Sequence, residues 1–350
     1  MPELGKLRPS LLQRLVYRKL GAERQEVLIG PRFGVDNAVV RVAKGLVMII
    51  TTDPLSVIPS LGLQDSAWLS LHLLASDITT SGFPPQYAIL DLNLPPHMTN
   101  EEFRLYWNAI HEESRRLGMM IVGGHTGRFQ GCDYTIVGGA SFITFGPEGA
   151  YLSSNMALVG DSLIVTKGAA IATTGILSRV FPYTLEKELG RSLLKSAKGF
   201  FRKISTVQEA LAMTSLGVRE KGVSAMHDAT EGGVIGALYE MLVASHVGAD
   251  IEANAIPVSD ETRHICDFFG IDPYVSLSEG TLVASISKEK TDEALHHLTR
   301  LGITAAIVGK VTDRSHGMRM KKANKETSLR YPEKDPYWEA YWKAVKRGWN

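Results

Sequence analysis

The sequence predicts an α/β protein of two related units. Strand-like runs rich in β-branched residues alternate with helical stretches. That alternation runs in similar order through both halves. The 350 residues exceed the usual size of one hydrophobic core. An apolar fraction of 44% is ample for two cores. Lysine and arginine (38) balance aspartate and glutamate (37), which argues against a nucleic-acid-binding surface spread over the chain.

Met1 to Leu20 alternates charged and apolar residues without an uninterrupted apolar run. This predicts a short helix and no signal peptide or membrane span. Val39 to Val42 and Leu46 to Thr52 then read as strands around a Lys44-Gly45 turn. Asp65 to Thr80 is a helix whose Trp68, Leu71, Leu74, Ala75 and Ile78 share one face. Tyr87 to Leu94 is a strand, Glu101 to Leu117 a helix, and Met119 to Val122 a strand entering a turn at Gly123-Gly124-His125-Thr126-Gly127. The apolar run Tyr134 to Phe145 closes the first unit.

The second unit opens with Ser162 to Thr166, after a Gly160-Asp161 turn. Helices are expected at Thr174 to Arg179, around Leu185 to Lys198, and at Thr206 to Leu216. Beyond the segment Met226 to Gly233 come a helix, an extended stretch from Ile251 to Val258, and a helix at Glu261 to Phe269. Leu282 to Ile286, Lys290 to Leu301 and Ala305 to Val311 follow as strand, helix and strand. The expected division is 1–155, 156–313 and a basic, aromatic tail at 314–350. In that tail Tyr337, Trp338, Tyr341 and Trp342 fall on one helical face, either docking on the core or meeting a protein partner. The isolated Cys132 and Cys266 exclude a disulfide framework and a Cys-x-x-Cys zinc site, and read as thiols of a reducing cytoplasm.

Chemistry concentrates at a few acids and glycines. Met226-His227-Asp228-Ala229-Thr230-Glu231-Gly232-Gly233 sits where a strand becomes a helix; Asp228 and Thr230 are placed to cap that helix, and the glycines allow close backbone approach, with phosphate as the first candidate. Asp36, Asp53, Asp77 and Asp228 each stand at the edge of an apolar run beside small residues. Carboxylates converging from separate elements are what a magnesium–nucleotide site requires. The Gly123-Gly124-His125-Thr126-Gly127 turn offers backbone amides for an anion. His125 itself reads as a satisfied histidine, a phosphate ligand or an acid/base group.

Taken in order, Gly34 to Val39, Thr51-Thr52-Asp53, Ser76 to Gly82, Gly123 to Thr126 and Met226 to Gly233 resemble the ATP-dependent superfamily of aminoimidazole ribonucleotide (AIR) synthetase, selenophosphate synthetase, thiamine-monophosphate kinase and the hydrogenase-maturation protein HypE. Ile256-Pro257-Val258, Cys266 to Pro273 and Ser278 to Leu282 are most similar to the HypE branch. The resemblance implies a PurM-like α/β (α+β) fold, with an N-terminal ATP-binding domain whose sheets pair across a homodimer into a β-barrel, and a C-terminal α/β domain behind it. It implies ATP and Mg2+, with metal at Asp36, Asp53, Asp77 and Asp228. Gly123, Gly124, Thr126, Thr230 and Gly232 would lie near the nucleotide, and His125 or Glu231 would move a proton. Two positions depart from the pattern: His125 stands where the HypE and kinase branches have Asp, and Ser76 where Asn is frequent. HypE carries a C-terminal cysteine that is converted to a thiocyanate; here no cysteine follows Cys266, so that reaction on the tail is not expected. Nor does the Gly30 to Gly34 loop hold the reactive cysteine of selenophosphate synthetase. The expected activity is Mg-ATP-dependent activation of an oxygen on a small substrate; the alternative is a nucleotide-binding scaffold without chemistry.

Overall fold

A computed structural model describes residues 5–323 and 325–350. Of the helix expected over Met1 to Leu20, α1 (Pro9–Leu15) is present, with proline in its first turn; the expectation for residues 1–4 lies outside the described residues. The first sheet is built from β1 (Val27–Ile29), β2 (Ala38–Ala43) and β3 (Leu46–Ser56), then, after α2 (Leu63–Thr79), β4 (Tyr87–Leu94), and, after α3 (Asn100–Arg116), β5 (Met120–Arg128) and β6 (Ile136–Pro147). Its order is β1-β2-β3-β6-β4-β5, antiparallel except for β4 and β5, which α3 joins as a crossover. Thr99 and Glu102 form a reciprocal capping box that starts α3.

One face of this sheet carries the core. Along β3 the buried positions are Val47, Ile49, Thr51 and Leu55, so period-two alternation puts Asp53 on the core side with Thr51. The strand runs past Thr52, leaving Asp53 within it and not at its end. Leu71, Leu74 and Ile78 of α2 and Tyr106 and Ile110 of α3 cover that face. The opposite face leaves Tyr87, Ile89, Met120, Val122 and Ile136 exposed.

The expected turn at Gly123 to Gly127 is instead the continuation of β5, paired in register with Ile89 to Asn93. The glycines serve the sheet. Gly124 has φ +151°, and a Cβ there would lie 1.9 Å from the Leu90 carbonyl oxygen; on the other side of β4, a Cβ on Gly138 would lie 1.8 Å from that of Asp91. Side chains at these points would force the strands apart.

The second sheet begins with β7 (Ser162–Thr166). There follow α4 (Ile171–Val180), α5 (Pro182–Leu189), α6 (Arg191–Lys198), α7 (Val207–Thr214), β8 (Val223–Ala229), α8 (Gly233–Ala244), β9 (Gly248–Glu252) and α9 (Asp260–Phe269). Then come β10 (Thr281–Ile286), α10 (Thr291–Arg300), β11 (Ala305–Thr312), β12 (Met318–Lys322), β13 (Lys325–Ser328) and α11 (Pro336–Lys346). The order is β13-β12-β9-β11-β7-β10-β8. Met318–Lys322 and Lys325–Ser328, expected to belong to the tail, therefore extend this sheet. Gly190, at φ +86°, divides the stretch expected around Leu185 to Lys198 into α5 and α6.

The aromatic tail docks on its own chain. Tyr337, Ala340 and Ala344 of α11 are buried, and Trp349 stacks on Phe268 with ring centroids 4.9 Å apart. Trp342 breaks the expected four-residue face and remains 44% exposed. Asp335 caps α11 by accepting Tyr337 N–H at 2.8 Å, and accepts Gly232 N–H at 2.9 Å with its other oxygen. Burial pushes its carboxyl up to about 6 in spite of those two donors.

Helix α2 ties the two units together. Asp65 pairs with Arg179 and Arg202, His72 bonds Ser205 at 2.8 Å, and Ser76 Oγ accepts Thr206 N–H at 3.0 Å. Two substitutions test this account by urea denaturation. Gly124→Ala is expected to cost about 3 kcal/mol, since strain and overlap with Leu90 act together. Asp335→Ala is expected to cost about 2 kcal/mol, as a lost helix cap and a stranded amide, with Asp335→Asn recovering only part of it, because its amide has one acceptor oxygen for two N–H donors.

Candidate active site

Asp36, Asp77 and Asp228 meet where the two units face each other. Asp36 follows the Gly34 turn, Asp77 lies late in α2, and Asp228 is the next-to-last residue of β8. Gly34 is needed there: at φ +76°, a Cβ would lie 2.5 Å from the Glu240 carbonyl oxygen. One oxygen from each of Asp36, Asp228 and His227 lies, with a ring nitrogen standing for the histidine, within 4.8 Å of the others. Thr51 Oγ1 is 3.1 Å from Asp77 Oδ2 and 3.2 Å from the Asp36 carbonyl. Asn37 Nδ2 donates to the Asp77 carbonyl at 2.8 Å, fixing the end of α2.

The cluster is electrostatically crowded. Burial, followed by repulsion from Asp228, Asp53 and Asp36, pushes the Asp77 carboxyl well above the usual carboxylate range. Asp228 is pushed up to about 7 by burial and by Asp36, with His227, Asp77 and Lys6 opposing the shift. Asp53 is raised by burial, with Lys6 opposing and Asp36 reinforcing the shift.

Two cations offset this charge, and the sequence reading missed both as site residues. His227 Nδ1 lies 2.7 Å from Asp36 Oδ1, and its Nε2 lies 2.9 Å from Glu240 Oε2. Burial alone would discharge this ring, but Asp36 and Glu240 together overcome it and hold the imidazole protonated well above its ordinary value. Lys6 Nζ donates to Thr230 Oγ1 at 2.7 Å. Burial also works against this ammonium, yet Glu240, Asp53, Asp77 and Asp228 outweigh it and raise its pKa, although the residue keeps solvent-exposed surface. Glu240 had a visible signal, being the lone charged residue of the apolar α8; Lys6 had none.

The donor set fits a hard divalent cation. Asp36 Oδ2, Asp228 Oδ1 and Asn37 Oδ1 are buried without hydrogen-bond partners, and such orphaned oxygens are costly unless something positive meets them. His227 Nε2 is hydrogen-bonded to Glu240 Oε2, while Nδ1, in ionic contact with Asp36, makes no hydrogen bond and is one of the atoms grouped with the carboxylates.

Other expected site residues fall differently. Asp228 belongs to the strand and caps nothing; α8 starts at Gly233, with left-handed Gly232 as its N-cap residue and no side-chain cap. Gly232 N–H is taken by Asp335. Glu231 Oε2 accepts the Lys6 backbone N–H at 2.8 Å, beside Thr230. Gly123, Gly124, His125 and Thr126 lie on the exposed edge strand β5, and among the described residues no hydrogen bond or ion pair joins them to the carboxylates. A cavity of about 750 Å3, lined by Trp68, His72, Lys167 and Arg202, lies away from the cluster.

Comparison with known proteins places this geometry. Residues 34–142 match the N-terminal domain, and residues 159–321 the C-terminal domain, of AIR synthase related proteins. A candidate hydrogenase expression/formation protein of Methanocaldococcus jannaschii is 28% identical over 260 residues, 73% of this chain and 72% of that one. Carbamoyl dehydratase HypE of Rhizobium leguminosarum is 26% identical over 272 residues, 75% and 73% of the two chains. Among solved structures, Escherichia coli HypE superposes with a TM-score of 0.69 at 23% identity, over 83% of this chain and 87% of that one. A HypE in complex with ATP gives 0.67 at 20% identity, over 94% and 95%. ThiL with AMPPCP and TMP gives 0.66 at 17%, over 84% and 89%. The two sheets, the order of the motifs and both domain matches make the chain a HypE-like member of the AIR synthase related family, with the two-domain PurM-like fold.

Proposed function

We propose that this protein is a magnesium- and ATP-dependent enzyme that phosphorylates, and so activates, an oxygen of a small substrate. The observation that carries this reading is the group of Asp36, His227 and Asp228, with two carboxylate oxygens unpaired and Asp77 joined to it through Thr51. The fold shared with a HypE–ATP complex and with ThiL bound to AMPPCP supports it. Magnesium bound there would neutralise phosphate charge. Asp36, Asp77 and Asp228 would hold it, Asp53 would add a fourth carboxylate, and His227 fixes Asp36 against Glu240.

The acceptor oxygen attacks the γ-phosphorus and forms a P–O bond; the bond to the β,γ-bridging oxygen breaks, and ADP leaves with the electron pair. From a hydroxyl acceptor the proton passes to Glu231, which stands on the loop after Asp228, whereas His125 lies on the outer edge strand. A carbonyl or amide oxygen, once phosphorylated, becomes a leaving group. The former outcome is that of a kinase and the latter that of a dehydratase.

The exposed face of β4 and β5 supports the homodimer. Tyr87, Ile89, Met120 and Val122 form an apolar patch beside the unpaired outer edge of β5, an arrangement that a second copy covers by continuing the sheet. On α11, Trp342 is the exposed aromatic left to meet a protein partner.

ATP turnover by the purified protein is expected to vanish on removing magnesium with EDTA and return when it is restored. Asp228→Asn is expected to lower it about 100-fold or more, as loss of a metal ligand and its charge. Nucleotide binding without turnover across candidate metabolites would instead identify a scaffold. Val122→Lys is expected to convert a dimer to monomer in light scattering while the circular dichroism of the folded chain is kept, because the residue is on the surface of the single chain.

A further inference from the structure

The N-terminal segment enters the site from outside both sheets. Gly5 is wedged tightly: a Cβ there would lie 2.4 Å from Glu231 Oε2 and 2.9 Å from Trp338 Nε1. Lys6 is consequently held at two points, its backbone N–H on Glu231 Oε2 at 2.8 Å and its Nζ on Thr230 Oγ1 at 2.7 Å. Its ammonium is attracted by carboxylates of four elements: Asp53 of β3, Asp77 of α2, Asp228 of β8 and Glu240 of α8.

We propose that Lys6 is a substrate-contacting residue whose ammonium binds the terminal phosphate of the nucleotide. This rests on the Mg-ATP reading of the cluster. A lysine ammonium is a compact point charge on a flexible stem, suited to following a phosphate, and Thr230 Oγ1 is a neutral partner that it can exchange for an anion at low cost. His227 is poorly placed for this role, because it is buried with its ring between Asp36 and Glu240. The Glu231 anchor keeps the Lys6 backbone in place while the side chain turns. Lys6 therefore tells ATP from ADP: only ATP carries the phosphate that reaches the ammonium, and a charge-assisted contact of this kind gives about tenfold or more in affinity.

Calorimetric titration of the full chain with ATP and with ADP, both with magnesium, tests the assignment in the wild type, Lys6→Met and Lys6→Arg. The wild type is expected to prefer ATP by about tenfold or more. In Lys6→Met the preference falls to about threefold or less with ADP affinity nearly unchanged, and Lys6→Arg keeps most of it. If Lys6→Met retains the wild-type preference, or weakens both nucleotides equally as a merely structural residue would, the assignment is wrong. A wild type that binds ATP without preferring it to ADP also overturns the role of Lys6 while leaving the Mg-ATP reading intact. A wild type that binds neither nucleotide overturns both.

Discussion

Placing several carboxylates together away from water is the constraint around which this molecule is arranged. Each ionised acid raises the cost of ionising the next, as the upward shifts of Asp77 and Asp228 record. The chain answers with a histidine bound at both ends. By joining Asp36, which follows the Gly34 turn, to Glu240 of α8, His227 makes the neutralisation of charge and the contact between the two units a single interaction. Removing His227 would leave two buried carboxylates without their counter-ion, which is far more costly than losing the contact alone.

Helix α2 supplies the mechanical counterpart. Its N-terminal Asp65 is gripped by Arg179 and Arg202, which also lie over the Phe201 ring; its middle carries His72 and Ser76 to the Ser205-Thr206 segment; and its last turn presents Asp77. One rigid element thus packs on the first sheet, clamps the second unit and positions a site carboxylate. The apolar stripe seen in the sequence, Leu71, Leu74, Ala75 and Ile78, accounts for the packing face only. The polar face had no periodic signal, because its partners in the second unit, Arg179, Arg202, Ser205 and Thr206, lie more than a hundred residues away.

What was legible in the sequence follows the same division. Alternating apolar runs marked nearly every strand and helix, since local periodicity reflects burial directly. The aspartates were legible because acids on apolar elements are costly. Gly123 to Gly127 misled: glycine marks close backbone approach whether the neighbour is a phosphate or another strand, and here it is β4. Asp228 was assigned a capping role from its position before a helix, yet Thr230, Glu231 and Gly232 intervene, and the helix begins on a left-handed glycine. Lys6, in a polar segment with neither period nor motif, is informative only once folding brings it to Thr230.

The carboxylate of Asp335 serves two masters, with one oxygen on the first turn of α11 and the other on the loop that carries Glu231 and Gly232. The local opening equilibria of that helix and that loop are thereby joined. Whatever holds the loop closed also raises the free energy needed to fray the C-terminal helix, and fraying of the helix in turn loosens the loop. Amide exchange along α11, remote in sequence from every acid of the site, thus becomes a built-in gauge of how firmly the loop is held.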